Sequence, residues 1–168
     1  MKIAIVILNW NGELLLQKYL PSVVKHSPGA DIYVADNASS DDSVAVVRQL
    51  FPSVGIIQNT ENGGFAKGYN DALAHVDADV YCLLNSDVEV TEDWLVPVSG
   101  CLWERAECSS GQHKIMERWK PYYFEYAGAA GGGLDQVGYP GGRGRIWQIL
   151  ERDRGQYDDI REIFWATG

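Results

Sequence analysis

The sequence is poor in the residues that staple or metallate small folds. Its 168 residues include only three cysteines, Cys82, Cys101 and Cys108. Their odd number and the lack of CxxC or Cys/His ligand spacing argue against a disulfide framework or a structural zinc site, and fit a reducing compartment. The three histidines, His26, His75 and His113, are scattered without the i, i+4 spacing of a ligand pair. Basic residues are outnumbered, 14 against 23 acidic ones, for a net charge of −9. Such a field repels phosphate backbones and anionic headgroups, so no nucleic-acid partner is expected. The small clusters Arg143/Arg145 and Arg152/Arg154 are interleaved with acids and read as solvated surface. No apolar run is long enough to cross a bilayer. The first apolar run, Ile3 to Leu8, begins too early to leave room for the basic region and cleavage site of a signal peptide. A cytoplasmic location is expected, in solution or at the inner face of the membrane.

What the sequence does have is alternation of short β-branched runs with helical patterns, which signals a mostly parallel sheet flanked by helices, an α/β fold. At 46% hydrophobic content one globular domain over 1–168 is the expectation. Strands are expected at Ile3–Leu8, Asp31–Ala35, Val54–Gln58 and Val80–Leu84. The uninterrupted apolar character of the fourth suits a central place in the sheet. Helices are expected over 12–26, kinked or restarted at Pro21, over 41–50, 65–75 and 92–107. Ser39, Ser40 and Asp41 are the N-cap candidates of the second. From Pro121 to Gly144 the density of Gly, Tyr and Pro points to loops or a hairpin, and Arg161–Ala166 reads as a final strand.

In open α/β sheets ligands bind outside the carboxyl ends of the strands. Each of the four strands is followed there by polar residues: Asn9-Trp10-Asn11-Gly12, Asp36-Asn37-Ala38-Ser39-Ser40-Asp41, Asn59-Thr60-Glu61-Asn62-Gly63-Gly64, and Asn85-Ser86-Asp87-Val88-Glu89. The first has one glycine where a dinucleotide fingerprint needs G-x-G-x-x-G, and Gly63 to Gly68 leads into Tyr69-Asn70 where a P-loop needs Lys and Ser/Thr. Asn85-Ser86-Asp87 suits a hard cation, since Mg²⁺ or Mn²⁺ is often held by one or two carboxylates while substrate phosphates complete its shell; a turn cap is the equal alternative. Asp36 either accepts from the ring N–H of a pyrimidine or helps cap the following helix. Asn62, Gly63 and Gly64 permit close backbone approach to a ligand, and Phe65 can cover a ribose or base; a tight turn with a core aromatic explains them as well.

Taken together and in order, Val6–Gly12, Asp36–Asp41, Asn62-Gly63-Gly64-Phe65-Ala66-Lys67-Gly68-Tyr69-Asn70 and Leu84–Glu89 resemble the four donor-side motifs of glycosyltransferase family 2. Phe124–Gly132 and Phe164–Gly168 resemble the bacterial rhamnosyltransferase-type members of that family. The resemblance implies the GT-A fold, with a nucleotide-binding half (1–90) and a partial acceptor-side half (91–168), and a nucleotide-diphospho-sugar donor, UDP- or dTDP-linked. It implies donor-binding roles for Asn9, Asn11, Asp36, Asn37, Ser39, Asn62, Gly64, Phe65, Lys67, Asn70, Asn85 and Ser86, and a metal-binding role for Asp87 with Mn²⁺ or Mg²⁺. Asn85 stands where many members have a first Asp. The implied reaction is an inverting transfer to a hydroxyl of a saccharide or lipid-linked saccharide, in cell-surface polysaccharide synthesis. In such members the catalytic base is an Asp or Glu following a strand that ends like Trp165-Ala166-Thr167-Gly168, so it is expected beyond Gly168 and the chain reads as C-terminally truncated.

Within the chain, Asp158 and Asp159 are poor substitutes for that base, flanked as they are by Tyr157 and Arg161 like a solvated turn. Glu89 reads as solvent-facing. Trp103, Trp119 and Trp147 suit sugar stacking or core packing, and the glycines from Gly131 to Gly144 a lid or a plain loop. Two rivals remain at this level: an inactive nucleotide-sugar-binding module, and a nucleotidyltransferase. The latter should carry a glycine-rich basic loop after the first strand, which Asn9-Trp10-Asn11-Gly12 is not.

Overall fold

In a computed structural model the chain is described at residues 1–105, 107–125, 130–146 and 149–165. It divides into two compact units, residues 1–95 and 96–167. The first is a four-stranded parallel sheet built from β1 (Ile3–Asn9), β2 (Asp31–Asp36), β3 (Gly55–Gln58) and β4 (Val80–Asn85) in the order β3-β2-β1-β4. Helices α1 (Glu13–His26), α2 (Ser43–Leu50) and α3 (Gly64–Leu73) are the crossovers.

Alternation along β1 decides which helix goes to which face. Ile5 and Ile7 join Val34, Leu16, Leu20, Val23 and Val47 in one core, under α1 and α2. Ala4 and Val6 join Ala35, Tyr69, Ala72 and Val76 in the other, under α3. The small Ala4 and Ala35 leave room for the Tyr69 ring, whose hydroxyl donates to the Leu84 carbonyl at 2.9 Å. Chain order runs outward from β1 through β2 to β3 and then jumps back across to β4, so the order reverses between β1 and β4. That reversal is where an open α/β sheet opens a crevice at the carboxyl ends of its strands.

Burial pushes the Tyr69 hydroxyl from 10.0 up to about 12 and the Cys82 thiol from 9.0 up to about 11. Both folded values lie above the unfolded ones, so the fold favours the neutral forms. Their contribution is whole below pH 9 and is lost as pH rises through 11 and 12. Melting temperature measured against pH should fall across that interval, and Tyr69→Phe should flatten its upper part.

Several expectations are corrected. Pro21 does not restart α1, which runs on through it: it and Gln17, whose carbonyl loses its helical partner, are exposed. β4 is an edge strand among the described residues, with Tyr81 43% and Leu83 49% exposed, so its apolar run does not signal a central place. The helix expected over 92–107 is α4 (Val96–Glu104), because Asp93 takes a left-handed conformation (φ 55°) that breaks the first turn. Trp94 and Leu95 instead pack on the first core, where the Trp94 indole donates to Ser27 Oγ at 3.1 Å.

The second unit contains α4 and the hairpins β5 (Gly132–Leu134) with β6 (Pro140–Gly142) and β7 (Arg145–Ile146) with β8 (Ile149–Leu150). The first hairpin falls within the Gly-rich stretch, as its composition anticipated. Of the final strand expected over 161–166, the described residues 161–165 form a single bridge, between Trp165 and Gly132, whose partner edge is already short and paired with Gly142. Phe124 is fully buried, against Tyr157 at 5.4 Å. Asp158 and Asp159 are engaged in ion pairs with Lys114 and Arg143, as a surface reading of both would have it. Trp147, residues 126–129 and residues 166–168 lie outside the described residues.

Candidate sugar-donor site

Register brings the carboxyl ends of all four strands into line: Leu8 sits beside Asn85, Asn9 beside Asp36, and Asp36 beside Gln58. The turns that follow therefore share one edge of the sheet. Two hydrogen-bonded clusters organise it.

The first joins the ends of β1 and β2. Asn9, 1% exposed, donates through Nδ2 to Asp36 Oδ1 (3.1 Å) and Ser39 Oγ (3.2 Å). Asp36, 2% exposed, accepts on its other oxygen from the Ser39 N–H at 3.0 Å. Asn11, in a left-handed conformation at φ 50°, donates its N–H to Ser39 Oγ (2.9 Å) and accepts from the Ser40 N–H (2.8 Å). Asp41 holds the start of both following helices, accepting from the Glu13 N–H at 3.0 Å and from the Ser43 N–H at 3.1 Å. Burial works to raise the Asp41 carboxyl, and the bonds from the Ser43 hydroxyl, Glu13 and Ser43 outweigh it, holding it below its ordinary value. Of the three cap candidates, then, Asp41 bonds the first turn of α2, while Ser39 and Ser40 tie the turn to Asn9 and Asn11.

The second cluster joins β2, β3 and the start of α3. Asn37 donates to Asn62 Oδ1 (2.8 Å) and to the Gly64 carbonyl (3.2 Å), and accepts from Asn59 Nδ2 at 3.1 Å. Asn59 also reaches the Gly68 carbonyl at 3.0 Å. A Cβ at Gly68 would stand 3.0 Å from Asn37 and from Leu8, so glycine lets α3 lie this close to the sheet. Asn59 was not among the residues singled out from the sequence. Its place directly after β3 was the available signal.

Three features face outward from these clusters. Asn9 Oδ1 is buried and has no hydrogen-bond partner among the described residues. The amide orientation is fixed by Asp36, which can only accept if ionised, so the orphan is the carbonyl side. Gly12 backs directly onto it: a Cβ there would lie 2.3 Å from Asn9 Oδ1 and 3.6 Å from Ser86 Oγ, which puts Gly12 between the ends of β1 and β4. Gly12→Ala should therefore displace Asn9 and lower stability by about 1–3 kcal/mol, the usual cost of overpacking, as chemical denaturation would measure. Second, Phe65 is 52% exposed, braced edge-on against Tyr69 at 4.9 Å. Third, Asp87 is exposed and its side chain makes no hydrogen bond or ion pair among the described residues, beside half-buried Asn85 and Ser86.

Not every residue singled out from the sequence joins this arrangement. Lys67 is exposed and committed to Asp71 (2.5 Å) and Glu61 (3.2 Å), whose hydrogen bonds raise its ammonium above the ordinary value. Asn70 is exposed on α3. No group of three or more His, Cys, Asp or Glu gathers as metal ligands among the described residues. Asp87 alone fits a hard cation only where phosphate oxygens and water fill the rest of the shell. A cleft of about 810 Å³ lies in the second unit, lined by hairpin glycines with Asp135, Arg143, Arg161 and Glu162, of which Arg143 is paired to Asp159.

The sequence model for glycosyl transferase family 2 matches residues 4–100, which spans the whole strand-end apparatus. The chain belongs to glycosyl transferase family 2. No curated protein sequence matches it. Among solved structures, the mannosyltransferase PcManGT from Pyrobaculum calidifontis in complex with GDP-Man and Mn²⁺ is similar at 20% identity and a TM-score of 0.57, over 70% of this chain and 36% of that one. S. aureus TarS 1–349 in complex with UDP-GlcNAc is similar at 19% identity and a TM-score of 0.56, over 70% of this chain and 39% of that one. These likenesses show the GT-A fold. The chain spans well under half the length of either protein. No described helix is long and apolar enough to cross a membrane.

Proposed function

We propose that the first unit is the donor-binding part of an inverting, metal-assisted glycosyltransferase that takes a nucleotide-diphospho-sugar, UDP- or dTDP-linked, and serves cell-surface polysaccharide synthesis on the cytoplasmic side. The observation that carries this reading is the polar edge at the ends of β1 and β4: a buried acceptor on Asn9 with no hydrogen-bond partner among the described residues, a glycine packed directly against it, and an exposed carboxylate on Asp87 that makes no hydrogen bond or ion pair among the described residues. A nucleobase or ribose donating to Asn9 Oδ1 would satisfy the orphan, which otherwise costs about 1–3 kcal/mol. Asp36 positions rather than contacts in this reading, since both its oxygens are spent on Asn9 and Ser39. Phe65 offers an exposed ring to the nucleoside or sugar.

A divalent cation, Mn²⁺ or Mg²⁺, would be held by Asp87 with Asn85 and Ser86 nearby, and would neutralise the departing diphosphate. The acceptor in this reading is a hydroxyl of a saccharide or lipid-linked saccharide, deprotonated by a carboxylate. The PcManGT complex with GDP-Man and Mn²⁺ and the TarS complex with UDP-GlcNAc support the ligand class without extending to this chain's own sugar or base.

The reaction is tested with the native full-length protein, a nucleotide-sugar and an oligosaccharide acceptor, followed by nuclear magnetic resonance. Release of nucleoside diphosphate with inverted anomeric configuration in the product is expected. Release of pyrophosphate would assign the chain to nucleotidyl transfer instead.

A further inference from the structure

The cysteines, too few and too irregular to suggest pairing from the sequence, are not equivalent in space. Cys101 lies in the last turns of α4 and Cys108 just beyond it, and their sulfurs are in contact at 3.3 Å. Backbone bonds already fold the intervening residues: the Arg105 N–H donates to the Cys101 carbonyl at 3.1 Å and the Cys108 N–H to the Arg105 carbonyl at 3.0 Å. Both cysteines are free and only half-buried, among the exposed side chains of Trp103, Glu104, Arg105, Glu107 and Ser109. Cys82 by contrast lies in the β-sheet, packed against the first core.

We infer that Cys101 and Cys108 form a reversible redox site, a dithiol that a low-molecular-weight disulfide such as oxidised glutathione converts to an intrachain disulfide closing the end of α4. The sulfurs need to approach by roughly 1.3 Å to reach the S–S bond length of about 2.05 Å. In the first step the thiolate of one cysteine attacks a sulfur of oxidised glutathione, forming a mixed disulfide and expelling one glutathione thiolate. The second cysteine, losing its proton, attacks the protein sulfur of that mixed disulfide and expels the other. Two protein thiols are oxidised to one disulfide, and one glutathione disulfide is reduced to two thiols. Because the second thiol is already in contact with the first, ring closure outruns the accumulation of stable glutathione adducts. Reducing agents reverse both steps, so the site responds to the thiol poise of its compartment rather than serving as a permanent staple.

The sequence supplies its own test. Arg105 lies between the two cysteines, so tryptic cleavage after it severs the chain, and a Cys101–Cys108 disulfide keeps the two peptides joined. The chain is equilibrated with oxidised glutathione, quenched by alkylation and digested without reduction for mass spectrometry. Cys82 falls in the same tryptic peptide as Cys101, so the digest is repeated on Cys82→Ala, Cys101→Ala and Cys108→Ala. The expected result is a joined peptide pair as the main oxidised form in the native chain and in Cys82→Ala. It should disappear with dithiothreitol and be missing from the other two variants, which accumulate glutathione adducts instead. Stable adducts on Cys101 or Cys108 of the native chain, both thiols remaining alkylated, or a link that survives Cys101→Ala would each overturn the assignment. None of these outcomes depends on the sugar-donor reading.

Discussion

Replacing Asp87 with alanine should abolish the metal-dependent part of nucleotide binding while leaving the fold intact. Asp87 is exposed and makes no hydrogen bond or ion pair among the described residues, so unfolding should shift by no more than about 0.5 kcal/mol, as for ordinary surface positions. Its contribution to ligand binding is another matter. With no cluster of other acidic, histidine or cysteine ligands among the described residues, no neighbouring carboxylate takes over the cation. Outer-shell changes at metal sites typically cost about 10–100-fold in affinity, and removal of the one direct carboxylate should exceed that. Asp87→Asn, which keeps an oxygen but loses the charge, should fall between. Asn85→Asp is the complementary variant: a second carboxylate at this edge should raise cation affinity before any nucleotide is added.

Asp36→Ala should do the opposite, costing stability first and binding through it. Asp36 is buried and accepts from Asn9 Nδ2 and the Ser39 N–H. Alanine strands both donors, at about 1–3 kcal/mol for each left unsatisfied, so a loss of about 2–6 kcal/mol is expected from denaturant titration. Asn9 retains Ser39 Oγ as a second acceptor, which favours the lower half of that range. Asp36→Asn keeps an acceptor for Ser39 but turns an amide toward the amide of Asn9 unless one of them rotates. It should be milder than alanine. If Asp36 bound the nucleoside directly, Asp36→Asn would lose affinity with its stability nearly unchanged, the reverse of this expectation.

The difference between these two aspartates shows what could be read from the sequence. Position was legible: the four polar turns follow apolar runs, and parallel register brings their ends to one edge, so the site could be located before any side chain was placed. Role was less so. Asp36 and Asp87 look alike as acids after strands, yet one is walled in by Asn9 and Ser39 and the other is open, and only long-range partners decide which. Asn59 and Lys67 fail in opposite directions for the same reason. The former completes a network with Asn37 and Gly68, twenty-two and nine residues away, while the latter is satisfied locally by Asp71 one helical turn on.

The fold shows the same division. β1 is largely buried on both faces and β2 is buried over its last three residues, and their limits were legible to within one residue. β4 has an equally apolar sequence but leaves Tyr81 and Leu83 half exposed at an edge, because hydrophobicity reports a capacity for burial and not whether a neighbour is present. The start of α4 was hidden for a different reason: a left-handed Asp93 is allowed by local sterics but not announced by them. In the second unit, strands of two or three residues leave too short a pattern for periodicity to register.

The most direct test of the sugar-donor account is calorimetric titration of the folded chain with UDP, dTDP and GDP, each with Mn²⁺ and then with a chelator, in parallel with Asp87→Ala. The account predicts binding of a uridine or thymidine diphosphate that needs the cation and is lost in the variant. A folded chain that binds none of the three, or binds equally well with chelator and without Asp87, would contradict it and leave the open edge between β1 and β4 as scaffold alone.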